Sequence, residues 1–284
     1  MVPRRRVAVT IRPVDFVLLA YVAVTSGVAV NRLASNPGCA WLLLANLLVV
    51  LLVVLVNRPG LDRIDAALAE LYPLIIMAGL YGALDVLSAH GGVSTHDAAV
   101  QRWEAAVFGG QVSREWWQRS PSRFWSTVLH SAYLSYYLIV LAGPIWFFAR
   151  GRLPELRRAV LGIVTAYASC YLVFVFFPVA GPYYAFPRPA AWFLDNGPAR
   201  LVYRLLRGGS SFGAAFPSSH VAAAVVAALT TAMGSRRLGV VLALPTLLMT
   251  VSVVYCQMHY AVDAVAGLGV GVMVAAGVML FERE

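Results

Sequence analysis

Apolar runs of membrane-crossing length recur along the whole chain, and they constrain its fold more than any other feature. Eight are legible, at about 14–31, 40–56, 69–89, 124–149, 159–179, 217–234, 238–257 and 260–281. About 20 apolar residues in a helix cross a hydrocarbon core of about 30 Å. No water reaches that core to satisfy backbone N–H and C=O groups, so a spanning segment is either a helix or part of a closed barrel. The alternating pattern of barrel strands is missing. The expected fold is therefore all-α, a polytopic membrane bundle of about eight helices. Composition agrees: 60% of residues are hydrophobic, 12% are charged, and the mean hydropathy is +0.75. A soluble domain carries about 25% charged residues.

The net charge of +9 comes from arginine alone, because the chain has no lysine. Topology accounts for it without nucleic acid. Arg4, Arg5, Arg6 and Arg12 precede the first run. Counting passes alternately puts Arg58, Arg63, Arg150, Arg152, Arg157, Arg158, Arg236 and Arg237 on the same side. Positive charge collects on the cytoplasmic side, so both termini are expected there, in a multi-pass plasma-membrane protein. The first run is long and lacks a small-x-small cleavage site, which favours an uncleaved anchor over a signal peptide. Cys39, Cys170 and Cys256 are odd in number and suggest neither a disulfide framework nor a thiolate metal site.

Two longer loops lie on the outer side. The first, about 90–123, mixes tryptophan and arginine with apolar residues, as short interfacial helices do. His90 and His96 there read as ordinary loop residues. The second, about 180–216, begins with an irregular "GPYYAFPRPAAWF". It continues into a helix with Arg200, Arg204 and Arg207 on one face and Leu201, Val202, Leu205 and Leu206 on the other. That helix suits anchoring to anionic headgroups, or an arginine that reaches a phosphate.

Polar residues inside the apolar runs carry the chemistry. His220, His259 and Asp263 all fall at the outer ends of their passes, on the same side as Arg188. An ionised aspartate within a span costs about 2.5–3.5 kcal/mol on insertion scales and so has a partner or a task. Asp263 lies four residues after His259, on the same helical face. The carboxylate is expected to accept from Nδ1–H and leave Nε2 free to attack; a purely structural His–Asp bond is the plainer reading. In "FPSSH", Pro217 suits the first helical position. The N–H groups that follow, with the Ser218 and Ser219 hydroxyls, make an anion site at a helix N-terminus; an ordinary cap is the plainer reading. Together the two motifs compose a phosphoryl-transfer site. His259 attacks, Asp263 orients it, and His220 gives the proton to the departing oxygen. Ser218, Ser219, Arg188 and Tyr183 bind the phosphate or its substituent. No metal and no other cofactor is called for. A zinc site on His220, His259 and Asp263 is chemically conceivable but leaves the anion site without a purpose.

These residues resemble the type 2 phosphatidic acid phosphatase superfamily. Pro217, Ser218, Ser219 and His220 match its Pro-Ser-x-His motif, His259 and Asp263 its His-x-x-x-Asp, and Arg188 and Pro189 the Arg-Pro that ends its first motif. The resemblance covers about 65–284 and implies a six-span catalytic core, with 1–64 as a two-span extension. It also implies metal-independent catalysis through a phosphohistidine at His259. Two cations of the family pattern are missing: Gly181 stands where the first motif has lysine, and Val253 where the third has arginine. The form "HYAVD" is closer to the branch of inositol phosphorylceramide synthase and sphingomyelin synthase, which transfer phospho-headgroups. The expected activity is hydrolysis of a lipid or polyprenyl phosphate. The alternative is headgroup transfer to a lipid or polyol acceptor. A transporter or lipid-binding protein that uses the same groups as a relay is the rival of a different class. The implied partners are the bilayer and a lipid phosphate, with no nucleic acid. Elsewhere Ser126, His130, Tyr133 and Tyr137 form a polar stripe along the fourth run, fit for interhelical bonding or for lining a headgroup or acceptor pocket, and Asp85 has no partner evident from sequence.

Overall fold

A computed structural model describes residues 11–58, 68–88 and 92–281; Arg4, Arg5, Arg6, Arg63 and His90 lie outside them. Three apolar helices come first: α1 (Pro13–Arg32), α2 (Cys39–Val56) and α3 (Tyr72–Leu87). Two short helices follow, α4 (Asp97–Phe108) and α5 (Val112–Arg119). The fourth pass is a pair, α6 (Arg123–Leu134) and α7 (Tyr136–Ala149), which meet at Ser135, and α8 (Leu153–Phe176) is the fifth. The second long loop holds α9 (Pro182–Ala185), α10 (Ala191–Leu194) and the amphipathic α11 (Gly197–Gly209). Three passes complete the described chain, α12 (Ser219–Gly234), α13 (Arg236–Tyr255) and α14 (Ala261–Phe281). The protein is thus an all-α membrane bundle. Among the described residues six helical segments are long and apolar enough to cross a bilayer, counting Arg123–Ala149 as one, and α3 and α12 are shorter.

The shortness of α12 has a packing reason. Its 16 residues reach only about 24 Å at 1.5 Å per residue. It occupies the middle of the bundle, against α7, α8, α13 and α14. Ala222, Ala223, Ala224, Val226 and Ala227 have no exposed surface. Neighbouring helices approach it through glycines. A Cβ on Gly143 of α7 would fall 2.0 Å from Thr231 Oγ1, and one on Gly271 of α14 would fall 2.8 Å from the Ala222 carbonyl oxygen. Small residues allow such close approach where no hydrophobic drive separates helix from lipid. By contrast α2 lies at the rim, packed on α1, with Trp41, Leu47, Leu48 and Leu51 facing outward.

The two ends of the bundle differ in chemistry. At one end Arg12 pairs with Asp15 (3.0 Å) and Glu70 (3.3 Å), Glu70 takes Arg157 (2.9 Å), and Arg152 donates to the Gly234 carbonyl (3.0 Å). The long loops, α4, α5 and α9–α11 cover the other end, where the predicted site residues lie.

Candidate active site

At the long-loop end, α12 opens with Ser218 as its cap. Helix α12 begins at Ser219, so Pro217 precedes the cap rather than filling the first helical position as expected. The Ser218 hydroxyl accepts from the Val221 N–H (3.4 Å), and the Ser218 N–H donates to the Asp263 carbonyl (2.9 Å). Both are thus engaged structurally, although the hydroxyl proton is still free to be donated. The first intrahelical bond runs from the Ala222 N–H to the Ser218 carbonyl (3.0 Å), so the N–H groups of Ser219 and His220 have no intrahelical acceptor. Gly267 brings α14 against this turn, since a Cβ there would fall 2.4 Å from the Ser218 carbonyl oxygen.

His259 stands in the tight turn between α13 and α14. Gln257 takes a positive φ of 61°, and the N–H groups of Met258 and His259 both fold back to the Val253 carbonyl (2.9 Å each). His259 Nδ1 meets the Ala215 carbonyl at 3.0 Å. A carbonyl only accepts, so Nδ1 carries the proton and the Nε2 lone pair is free. Ala215 is itself held by a parallel bridge: its N–H donates to the Val179 carbonyl (2.9 Å), and the Val179 N–H to the Gly213 carbonyl (3.0 Å). Asp263 Oδ2 accepts the Tyr260 N–H (2.8 Å) and lies 3.5 Å from His259 Nδ1. The expected aspartate contact on Nδ1 is therefore secondary to a backbone carbonyl, because the carboxylate caps the first turn of α14. Asp263 has no exposed surface, and its Oδ1 has no hydrogen-bond partner among the described residues. Burial pushes the His259 imidazole down to about 4, against the opposing bond to Ala215.

The rings of His220 and His259, far apart in sequence, lie 5.8 Å apart between centroids at 61°. His220 packs on Tyr136 (4.4 Å) and Tyr133 (5.4 Å). Its Nε2 is 3.4 Å from the Tyr133 hydroxyl, and its buried Nδ1 has no hydrogen-bond partner among the described residues. Beside it opens a cavity of about 350 Å³ walled by Tyr81, Tyr133, Tyr136, Tyr137, Tyr167 and Tyr171 and floored by Ser219 and His220. The hydroxyls of Tyr136 and Tyr167 hydrogen-bond to each other. Val202, Leu205 and Leu206 of α11 form another wall, so the apolar face of that helix covers the cavity. Of its arginines, Arg200 pairs with Asp195 (3.0 Å) while Arg204 and Arg207 are exposed.

Other predicted residues separate. Arg188 is exposed, with its guanidinium over the Tyr183 ring at 5.9 Å, and Tyr183 packs on Tyr203 (5.8 Å). Neither Arg188 nor Tyr183 lines the cavity. Their loop is nevertheless tied to the His259 turn, because Gln257 Nε2 donates to the Pro187 carbonyl (2.8 Å). Gly181, at the missing lysine position, has φ +86°, and a Cβ there would fall 2.7 Å from Ala215 Cβ. Val253, at the missing arginine position, is fully buried. The stripe on the fourth pass divides. Ser126 and His130 are buried, and Ser126 bonds the Phe193 carbonyl (2.6 Å), whereas Tyr133 and Tyr137 line the cavity. Asp85 accepts the Phe212 N–H (2.9 Å). His96 is no ordinary loop residue, since it stacks on Phe177 at 4.2 Å and its N–H donates to the Pro178 carbonyl (2.8 Å).

Sequence reasoning missed Tyr136, the Ala215 carbonyl, Gln257 and the polar face of α4. Only the last left a signal, acids and an amide spaced as on one helix face at Asp97, Gln101 and Glu104. A family model described as the PAP2 superfamily matches residues 98–277. No curated protein and no solved structure matches the chain.

Proposed function

The chain belongs to the PAP2 superfamily, a group of phosphatases and phosphotransferases, and from that premise we propose a lipid phosphate phosphatase that works through a phosphohistidine at His259. One observation carries the reading: two imidazoles have centroids 5.8 Å apart, His259 with a free Nε2 and His220 on the floor of a tyrosine-walled cavity. His259 Nε2 attacks phosphorus. The P–O bond to the lipid alcohol breaks, and protonated His220 gives its proton to the departing oxygen. His220 then takes a proton from water as that water attacks the phosphohistidine, which releases phosphate and restores both imidazoles. Ser219 and His220 N–H groups, the Ser218 hydroxyl and Arg188 serve the phosphate oxygens, and the cavity beside His220 takes the leaving alcohol. The site faces the extracytoplasmic side of the plasma membrane, opposite the end whose short connections carry Arg150, Arg152, Arg236 and Arg237, and α1 and α2 are an extension of a six-span core.

Headgroup transfer is the second reading, and the charge around the site favours it. Gly181 leaves no room for a side chain and Val253 is apolar, so neither position supplies the family's cation. A phosphodiester brings one negative charge where a monoester brings up to two, so it needs fewer cations. Purified protein incubated with labelled phospholipid, with and without alcohols, separates the two readings: free phosphate alone supports hydrolysis, and a new phosphodiester supports transfer. In either case His259→Ala abolishes turnover and the acid-labile phosphate on the protein. Full activity in that variant overturns the mechanism.

A further inference from the structure

Helix α4 carries Asp97, Gln101 and Glu104 on one face, and all three side chains reach the surroundings of His259. Asp97 Oδ1 accepts the Tyr260 hydroxyl (2.9 Å) and the Gly181 N–H (2.9 Å), while Oδ2 accepts the Ala180 N–H (2.9 Å). Gln101 Nε2 donates to the Tyr260 hydroxyl (2.9 Å). Glu104 has no exposed surface, and its carboxyl accepts the Val262 N–H (3.3 Å) and the Ser113 N–H (3.5 Å).

Two separate segments meet at the His259 ring. One is its own turn, which continues through Tyr260 into Val262 on the first turn of α14. The other is Ala215, whose carbonyl takes Nδ1 and whose N–H is paired to Val179, the residue before Ala180 and Gly181. Asp97 grips both segments, and Glu104 grips the first. Burying a carboxyl group is costly unless hydrogen bonds offset it, as the Val262 and Ser113 N–H groups do here, and burial still pushes the Glu104 carboxyl up from its usual range. A helix that only covered the bundle would present apolar side chains here.

We propose that α4 is a positioning clamp, with Asp97 and Glu104 as positioning residues that fix the His259 ring relative to Ala215 and His220. Neither touches the substrate. The kinetic part of this inference rests on His259 being the nucleophile; the structural part does not. A displacement of about 1 Å at a reacting group costs about 100-fold in rate, so loosening the clamp lowers kcat and leaves KM nearly unchanged.

The test uses the full chain, purified in detergent, as parent and as Asp97→Ala, Asp97→Asn, Glu104→Ala and Glu104→Gln. The first readout is ¹⁵N NMR of the His259 imidazole, assigned with His259→Gln. The parent shows one tautomer, protonated at Nδ1, and the alanine variants show two in exchange. The second is turnover of phosphatidic acid in mixed micelles, where the alanine variants lose about 10- to 100-fold in kcat and the Asn and Gln variants, which keep one carbonyl acceptor, lose less. An alanine variant that fails to fold is replaced by its amide counterpart, with a smaller shift in the same direction. A single unchanged tautomer in all variants, or kcat within twofold of the parent, overturns the clamp. A parent inactive on phosphatidic acid whose tautomer still shifts in the variants supports the clamp and counts against the proposed phosphatase.

Discussion

Replacing Gly181 by alanine adds one carbon atom in a place where two independent costs meet. The backbone there has φ +86° and ψ 169°, a region essentially reserved for glycine that costs an L-residue about 1–3 kcal/mol. The new Cβ would stand 2.7 Å from Ala215 Cβ, against an optimal carbon–carbon separation of about 3.5–4.0 Å. Relief requires a shift of about 1 Å, and overpacking of that kind costs about 1–3 kcal/mol. The sum is about 2–6 kcal/mol, large for a single methyl group. The strain does not stay local. Ala215 gives its carbonyl to His259 Nδ1, so pushing it away moves or frees the imidazole. Gly181→Ala should therefore lower the apparent Tm in detergent and reduce kcat on phosphatidic acid by about 10- to 100-fold, with KM affected less. Gly181→Lys, which restores the family cation, should do worse rather than better. An alanine variant as stable and as active as the parent would refute both the steric argument and the importance of the Ala215 contact.

Asp263→Asn keeps an oxygen to accept the Tyr260 N–H, and so keeps the cap of α14, but replaces the carboxyl group that lies 3.5 Å from His259 Nδ1; stability should hold within about 1 kcal/mol while kcat falls about 100-fold or more, measured by thermal unfolding and by turnover. Leu206→Trp fills part of the cavity beside His220 and should raise KM for a long-chain lipid phosphate several-fold while sparing a short soluble phosphate ester; equal effects on both would count against the cavity as the alcohol site. The His259 imidazole is depressed to about 4 by burial, while in the unfolded chain it titrates near 6.5. The unfolded state therefore binds the extra proton in that window, and the contribution of a neutral His259 is lost progressively as pH falls from about 6.5 to about 4, amounting to about 3 kcal/mol at the lower limit. The parent should lose apparent Tm over that range relative to His259→Gln, and parallel losses in the two proteins would contradict a dry, neutral imidazole.

The passes were legible in the sequence because lipid sets their length and apolarity directly, and every one of the eight apolar runs contains a helix. Their limits were less so. Helix α12 starts two residues later than Pro217 suggests, because Ser218 takes the cap. The two histidine motifs could be read because side chains identify them. The partner of His259 could not: it is a backbone carbonyl, which every residue has, and only the chain's path brings Ala215 there. Asp263 was read as the Nδ1 acceptor from its spacing alone, and spacing does not reveal that the Tyr260 N–H competes for the same carboxylate. The tyrosine cavity was equally hidden, since its walls come from α3, α6, α7, α8 and α11 and no local pattern joins them.

The cavity beside His220 has part of its rim at the flank of the bundle, where Tyr137, Leu141 and Leu205 are exposed. A lipid that enters by that route never passes through bulk solution. Encounter is then a two-dimensional event, and turnover should scale with the surface mole fraction of substrate in a vesicle or micelle, falling as inert lipid dilutes it at constant total concentration.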